Sequence, residues 1–361
     1  MKILQIMPEF GLAGAERMAE SLILELKQLG CEVAAVSLYD FHSAITDNLE
    51  ANGVKVYYLG KKRGPDLSIP GKLVNVFRKE KPDIVHTHRY VCEYVIPAAI
   101  LAKVPGRIHT VHNVAEKERL PKKLQHFFYH FCHVHPVGLS PLVTQSVQQF
   151  YKLPPHHVPT IYNGIHMSKT KQKADYCTDG TFHFLHVGRF AEQKNHAAIV
   201  RAFAAFHQEH PNADLTFVGS GELFSQVQEQ IRSLGMEDVI KTPGQVDNII
   251  ELYPQYDAFL LPSLYEGIPI TLIEAMSSGM PIIASEVGGI PDMLRHNHSG
   301  LLCTSDPDSI AAAMKQLYAD EMLRQRLGQQ ALVDSARFSA QHMAEAYLAF
   351  YHKVLQNPSA Q

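Results

Sequence analysis

Residues 256–286 read YDAFLLPSLYEGIPITLIEAMSSGMPIIASE. The run 256–261 is short and apolar and ends at Leu261-Pro262, as a buried strand does. The segment ITLIEAMSSG (270–279) has helical length. Pro269 stands at its start, where a missing N–H costs nothing, and Gly279 stops it. A second apolar run, PIIASE (281–286), follows at once. Strand, helix, strand at this spacing is a right-handed crossover, the unit from which parallel sheets are built.

The same alternation extends outward from this unit. KILQIM (2–7), EVAAVSL (32–38), VKVYYL (54–59), PDIVHT (82–87), RIHTVH (107–112) and HVHPVGLS (133–140) are expected strands, with helices such as 14–29, 71–80 and 141–150 between them. After the turn dipeptide Asn163-Gly164, residues 168–180 are polar and poor in aliphatics, which marks a junction. FHFLHV (182–187), ADLTFVG (213–219) and SGLLCT (299–304) resume the pattern, and 306–333 and 339–355 read as helix. The expected fold is α/β. It has two doubly wound domains, 1–165 and 166–335, and a helical tail, 336–361, with Met343, Tyr347, Phe350 and Tyr351 on one side of its helix. Ligands of such sheets bind outside the carboxyl ends of strands, and two facing domains offer a cleft between them.

Bulk properties bound the function. A length of 361 residues suits two domains, and 46% apolar residues allow each a core. A net charge of −3 argues against a general nucleic-acid binder. No 18-residue apolar run is present to span a bilayer. The N-terminal run breaks at Pro8 and lacks the features of a signal peptide. Five scattered cysteines without a C-x-x-C fit a cytoplasmic protein with reduced thiols.

The polar and glycine-rich points fall at expected strand ends. Gly11 and Gly14 follow the first strand and allow close backbone approach to the N-terminus of the next helix; alone, they are equally a plain turn. In LHVGRFAEQKNH (185–196), Gly188 follows a strand, and Arg189 and Lys194 occupy a loop that opens a helix. Such a loop is either a diphosphate clamp or a solvated loop with two ordinary charges. Gly219-x-Gly221 lacks the third glycine of the dinucleotide fingerprint and reads as a turn. Glu266 lies at a helix mouth, where a carboxylate holds sugar hydroxyls or merely compensates helix charge. Glu274 lies on the helix, suited to a vicinal diol such as ribose; the alternative is an exposed helix position, although Leu272, Ile273, Ala275 and Met276 around it are apolar.

Taken together and in order, FGLAGAE (10–16), PDIVHTH (82–88), HTVHN (109–113), YNGI (162–165), VGRFAEQKN (187–195), VGSGE (218–222), PSLYEGIPITLIEAMSSGMPII (262–283) and EVGGIPD (286–292) resemble the family 4 glycosyltransferases. The resemblance covers nearly the whole chain, and the paired glutamates with their surroundings are its most specific part. It implies the GT-B fold, two facing Rossmann-like domains with the last helix crossing back to the N-terminal one. It implies a nucleotide diphosphate sugar donor, UDP first among the candidates. Transfer would retain anomeric configuration, and no divalent metal or other cofactor would be required. By position, Arg189 and Lys194 would neutralise the diphosphate, Glu274 would bind ribose, and Glu266 would face the donor sugar. The amides of Gly267, Ile268, Pro269 and Ile270 lie where sugar and phosphate are contacted, although Pro269 itself has no N–H to give. Gly188 belongs to the cation loop. Gly219, Gly221, Gly244, Gln245 and Val246 lie where the base is held. Gly14 would approach the phosphate and His112 the donor sugar. The implied acceptor is a glycan or a lipid-linked sugar in cell-surface polysaccharide or glycolipid synthesis.

Other readings are an epimerase or phosphorylase of the same fold, or a silent nucleotide-sugar-binding subunit. A dehydrogenase is disfavoured by the missing fingerprint. His126 and His130 have metal-compatible spacing without a supporting motif, and His133 and His135 join them as partly buried histidines. His86 and His88 end a strand, where an acceptor-side role fits. In 115–128, Lys122 and Lys123 interleave with Leu120, Leu124, Phe127 and Phe128. That pattern suits either a core-facing helix or peripheral contact with an anionic membrane.

Overall fold

The computed structural model describes residues 1–11, 14–117, 121–166, 171–178, 180–246 and 248–356. The chain divides into two compact units, one of Met1–Ile165 with Phe338–Gln361 and the other of His166–Arg337.

The first unit holds β1 (Lys2–Met7), β2 (Glu32–Ser37), β3 (Lys55–Tyr58), β4 (Ile84–His88), β5 (Gly106–Val111) and β6 (Val134–Gly138). Their order is β3-β2-β1-β4-β5-β6, and every neighbouring pair is parallel. Strand side chains alternate faces, and both faces are covered, as parallel crossovers require. Ile3, Val33, Ile84 and Ile108 pack in one layer with helices Gly14–Gln28 and Ala340–Gln356. Leu4, Ile6, Val36 and Val85 pack in the other with helices Ile69–Glu80 and Cys92–Leu101. Met343, Tyr347 and Tyr351 of the last helix are buried in the first layer.

The second unit holds β7 (Phe182–Val187), β8 (Ala213–Val218), β9 (Ile240–Gly244), β10 (Ala258–Leu261), β11 (Ile282–Ser285) and β12 (Leu301–Cys303). The order is β12-β11-β10-β7-β8-β9, again all parallel. Its core is aromatic, centred on Phe184, Phe203, Phe206 and Phe217. The two doubly wound sheets of the expected fold are therefore present. The strand order reverses between β1 and β4 in one sheet and between β7 and β10 in the other. At such a point the loops leaving the carboxyl ends diverge and open a crevice. In the second unit those loops are the ones that carry Arg189, Lys194 and Glu266.

Three local differences from the sequence reading have physical causes. β9, IKTPG, was not expected as a strand. It lies at the sheet edge, where a short polar segment with Pro243 is tolerated. Residues 306–333 form two helices, Pro307–Ala319 and Glu321–Ser335, because Asp320 caps the second through a bond from Leu323 N at 2.9 Å. In helix Lys122–Phe131, Phe128 is buried and Leu124 packs against the same core, whereas Phe127 and Phe131 are 50% and 68% exposed with rings 5.5 Å apart. Leu120 lies outside the described residues.

Candidate active site

Two loops at the carboxyl ends of β7 and β10 are fastened together residue by residue. Gln193 O accepts from Leu264 N at 2.8 Å, and Gln193 Nε2 donates to Tyr265 O at 2.9 Å. Asn195, with φ of 57°, donates from Nδ2 to Pro262 O at 3.1 Å and to Ser305 O at 2.8 Å. Ser285 and Ser305 hydroxyls both donate to Ser263 O, at 2.6 and 2.9 Å. This scaffold brings Lys194 and Glu266 together. Lys194 Nζ lies 2.6 Å from Glu266 Oε1, with the two side chains only 14% and 5% exposed. Ser263 Oγ donates to the same oxygen at 2.7 Å, and Gln193 Nε2 reaches Oε2 at 3.3 Å. Arg189 is exposed on the first loop, and its side chain makes no ion pair or hydrogen bond among the described residues.

Glycines build a second layer behind this pair. Gly288 has φ of +55°, and a Cβ there would lie 1.8 Å from Glu266 O; at Gly289 it would lie 2.2 Å from Gly267 O. Gly289 N donates to Glu266 O at 3.2 Å. The 288–289 turn thus supports the Glu266 loop from below, a role that the sequence reading did not separate from the motif around it. Gly219 supports the other loop: its missing side chain makes room for Gly188 O, 2.0 Å from the Cβ position. Gly221 likewise accommodates the Phe190 backbone. These two glycines are therefore explained by packing against residues 188–190. Gly14 and Gly267 differ, since the space where their side chains would stand is open to beyond 4 Å.

Glu274 lies on helix Ile270–Ser277, for which Pro269 is the N-cap residue rather than the first helical one. It is half-buried, and Oε2 accepts from Tyr253 OH at 2.8 Å. Tyr253 is fully buried, and desolvation together with the adjacent carboxylate holds its pKa well above the ordinary tyrosine value. Thr271 Oγ1, in the first turn of the same helix, is buried without a partner among the described residues. A buried hydroxyl left unpaired is costly, so a ligand atom arriving there gains a bond already prepared. Tyr253 and Thr271 both escaped the sequence reading; Thr271 followed the Gly-Ile-Pro-Ile turn at a helix start, a usable signal, while Tyr253 gave none. Gln245 and Val246 follow β9, whose Gly244 O accepts from Gly219 N at 2.9 Å. No described hydrogen bond joins their side chains to Glu266 or Glu274.

In the first unit the histidines sort into two groups. His86, expected at an acceptor side, is instead structural: it is fully buried, with Nδ1 2.7 Å from Tyr351 OH and Nε2 2.7 Å from Thr110 Oγ1. His88 is also buried and spends Nε2 on Gln5 Oε1 at 2.8 Å and Nδ1 on His112 Nε2 at 3.2 Å. His112 follows β5 and is half-buried. Burial, then the nearby His109 and Arg89, pull its pKa down to about 3, so it stands neutral at physiological pH. Arg89, another residue the sequence reading passed over, pairs with the buried Glu16 of helix Gly14–Gln28. His126 and His130 stack on one another at 4.1 Å, and His130 Nε2 bonds Tyr151 O at 2.8 Å. Among the described residues no group of three His, Cys, Asp or Glu is placed to hold a metal ion.

Two family models match the chain in tandem: "Glycosyltransferase Family 4" over residues 12–169 and "Glycosyl transferases group 1" over 168–333. The chain belongs to the family 4 glycosyltransferases. This glycosyltransferase is 28% identical to an N-acetyl-alpha-D-glucosaminyl L-malate synthase of Bacillus anthracis, over 81% of its own length and 80% of the relative's. It is 28% identical to the UDP-Gal:alpha-D-GlcNAc-diphosphoundecaprenol alpha-1,3-galactosyltransferase of Escherichia coli, over 70% of each chain. Among solved structures, Anabaena HepE in complex with UDP superposes with a TM-score of 0.82, covering 98% of this chain and 100% of that one at 18% identity, a likeness of fold. The glycosyltransferase has no helix among its described residues that is long and apolar enough to cross a membrane.

Proposed function

We propose that this enzyme transfers a sugar from a uridine diphosphate sugar to a glycan or lipid-linked acceptor, with retention of anomeric configuration and without a divalent metal. The observation that carries the reading is the Lys194–Glu266 pair, fixed by Ser263 and Gln193 at the point where the second sheet reverses its order. An ammonium has three protons, and the bond to Glu266 uses one. The others suit the diphosphate, with exposed Arg189 as a second cation and the first turn of helix Ile270–Ser277 as a third positive element. Three positive groups, of which Lys194 and the helix turn are held in place, match the charge that develops on a departing diphosphate, and such preorganisation is the largest part of many rate enhancements. That supports a reaction without a bound cation.

In this reading Glu266 faces the donor sugar and stabilises positive charge near the anomeric carbon. Glu274 accepts from the ribose hydroxyls, Thr271 Oγ1 meets a phosphate or sugar oxygen, and open Gly267 admits the donor to the backbone. Gln245 and Val246 flank the base; within the first unit, open Gly14 suits a phosphate oxygen and neutral His112 a sugar hydroxyl. Attack on the leaving-group face passes the acceptor proton to a phosphate oxygen, so no separate base is assigned. The Escherichia coli relative's name, which includes UDP-Gal and a diphosphoundecaprenol-linked acceptor, supports a nucleotide-sugar donor and a lipid-linked acceptor. Lys122 and Lys123 beside exposed Phe127 and Phe131 support peripheral contact with an anionic membrane.

The test is calorimetric titration of UDP and GDP into the wild type and into Arg189→Ala, Lys194→Ala and Glu274→Ala, with UDP-sugar turnover measured in EDTA and the product anomer assigned by NMR. UDP affinity unchanged in all three variants removes the residue roles, an inverted product removes retention, and turnover abolished by EDTA removes metal independence.

A further inference from the structure

One face of the first sheet changes character toward the carboxyl ends of its strands. Ile3 on β1, Ile84 on β4 and Ile108 on β5 pack in the core, and side chains two and four places further on share their face. Those places hold Gln5, His86, His88 and Thr110, all fully buried, and His112 stands next in the row, just beyond β5. Tyr347 and Tyr351 of the last helix reach the same row and are fully buried too. Polar side chains at the centre of a sheet cost stability unless their atoms are paired.

These are paired in an unbroken relay. Gln5 Nε2 donates to Tyr351 OH at 3.2 Å. Tyr351 OH lies 2.7 Å from His86 Nδ1, His86 Nε2 lies 2.7 Å from Thr110 Oγ1, and Thr110 Oγ1 lies 2.7 Å from Tyr347 OH. On the other side, Gln5 Oε1 lies 2.8 Å from His88 Nε2, and His88 Nδ1 lies 3.2 Å from His112 Nε2. Burial pulls the pKa of His86 and His88 well below the usual range and that of His112 down to about 3. Each ring is therefore neutral, with one N–H and one bare nitrogen.

The direction of the relay follows from its amide. An amide oxygen only accepts, so His88 Nε2 carries that ring's proton. His88 Nδ1 is then bare, and the bond to His112 is donated by His112 Nε2–H. That spends the one ring proton of His112. Its Nδ1, which has no hydrogen-bond partner among the described residues, is left as a lone pair. The other half runs in the same sense. Tyr351 OH accepts from Gln5 and gives its proton to His86 Nδ1, His86 Nε2–H donates to Thr110, and Thr110 donates to Tyr347. The opposite sense needs the buried Gln5 amide turned over and every ring proton moved with it. We infer that Tyr351, Gln5 and His88 are positioning residues that fix the proton of His112 on Nε2, so that His112 meets a sugar hydroxyl as an acceptor, through Nδ1. A fixed acceptor makes the site selective for a group that can donate. The tautomer rests on the hydrogen bonds alone; its use on a sugar rests on the reading of His112 under the proposed function.

Two-bond proton–nitrogen NMR of protein labelled with nitrogen-15 histidine, at pH 7.5, reads the tautomer, and loss of signals in His112→Ala identifies those of His112. Wild type should show His112 protonated on Nε2 and bare at Nδ1. Gln5→Met keeps the volume and removes the amide, so it should show both tautomers. Tyr351→Phe frees the amide to turn and should do the same, which decides the matter where Gln5→Met does not fold. Calorimetry then reads the use of Nδ1, with UDP-glucose, UDP-galactose, UDP-N-acetylglucosamine and their deoxyfluoro analogues as probes, since fluorine cannot donate a proton. For the sugar bound tightest, fluorine at one carbon should weaken binding to wild type about tenfold. That penalty should vanish in His112→Ala and shrink in Gln5→Met, while affinity for UDP alone stays within twofold. His112 protonated on Nδ1 in wild type overturns the inference, as does a tautomer unchanged in both Gln5→Met and Tyr351→Phe, or a fluorine penalty that survives His112→Ala at every position. The expected tautomer in a protein that binds no UDP-sugar keeps the relay and removes the reading of His112 as a sugar contact.

Discussion

Replacing Tyr253 by Phe removes one hydroxyl and leaves the ring. That hydroxyl belongs to a fully buried side chain and donates to Glu274 Oε2 at 2.8 Å. Because burial and the carboxylate both raise its pKa, it keeps its proton at neutral pH and Glu274 is the acceptor. A hydrogen bond to a charged group contributes about 1.5–3 kcal/mol. Glu274 is half-buried, so water replaces part of the lost donor and the lower figure, about 1.5 kcal/mol, applies. In a unit of this size that lowers Tm by about 3–6 °C. Binding is a separate matter. If Glu274 meets the ribose, losing its anchor should weaken UDP by up to tenfold, the equivalent of about 1.4 kcal/mol. Calorimetry on Tyr253→Phe, Glu274→Gln and the double variant separates the two effects. Tyr253 acts on the ligand only through Glu274, so in the Glu274→Gln background its substitution should change UDP affinity no further. Wild-type UDP affinity in Tyr253→Phe, or an equal further loss in that background, refutes the reasoning.

Lys194→Ala leaves a nearly buried carboxylate without its cation and should cost about 3–5 kcal/mol of stability, while Lys194→Ala with Glu266→Ala should cost less than the two single changes added; thermal unfolding of the three variants measures this, and simple additivity would count against a coupled pair. Gly288→Ala places a Cβ 1.8 Å from Glu266 O, and the resulting shift of the Glu266 loop should lower turnover by about 100-fold, against a smaller change in the UDP dissociation constant. His86, His88, His109 and His112 have pKa values lowered by burial, to about 4 for His109 and about 3 for His112. Above pH 7 neither the folded nor the unfolded chain protonates them. As pH falls through 6.5 the unfolded chain takes up protons that the native state refuses, so stability should drop by up to roughly 1.4 kcal/mol per pH unit for each histidine. Urea midpoints that match at pH 7.5 and pH 5 would contradict this. Sedimentation with anionic liposomes should deplete the wild type from the supernatant and leave Lys122→Glu/Lys123→Glu in it; equal recovery of both removes the membrane contact.

The architecture was legible because the central strands are buried on both faces. PIIASE and FHFLHV are built mainly on apolar residues, with only Ser285, Glu286, His183 and His186 polar, and a buried parallel strand favours that pattern. β9 was not legible, since an edge strand needs no such run and IKTPG carries a lysine and a proline. At the site, the charged residues announced themselves through their spacing, but what fixes them did not. Glu266 is oriented by Ser263, three residues away, and by Gln193 and Lys194, more than seventy residues away. Glu274 is anchored by Tyr253, 21 residues earlier and on the other side of β10 in the chain. These partners are ordinary residue types whose meaning arises only when β7 and β10 become neighbours. The glycines make the same argument in reverse. Sequence alone reads Gly14 as close approach by something or a plain turn and Gly219 as a turn, and it gives Gly288 no reading of its own. The fold divides them: at Gly219 and Gly288 the something is the protein's own backbone, and at Gly14 and Gly267 the space stays open. A side chain at the first two positions would displace Gly188 and Glu266, whereas one at the last two would enter open space and leave the scaffold intact. Alanine at Gly267 should therefore weaken UDP-sugar binding without lowering Tm, and alanine at Gly219 should lower both.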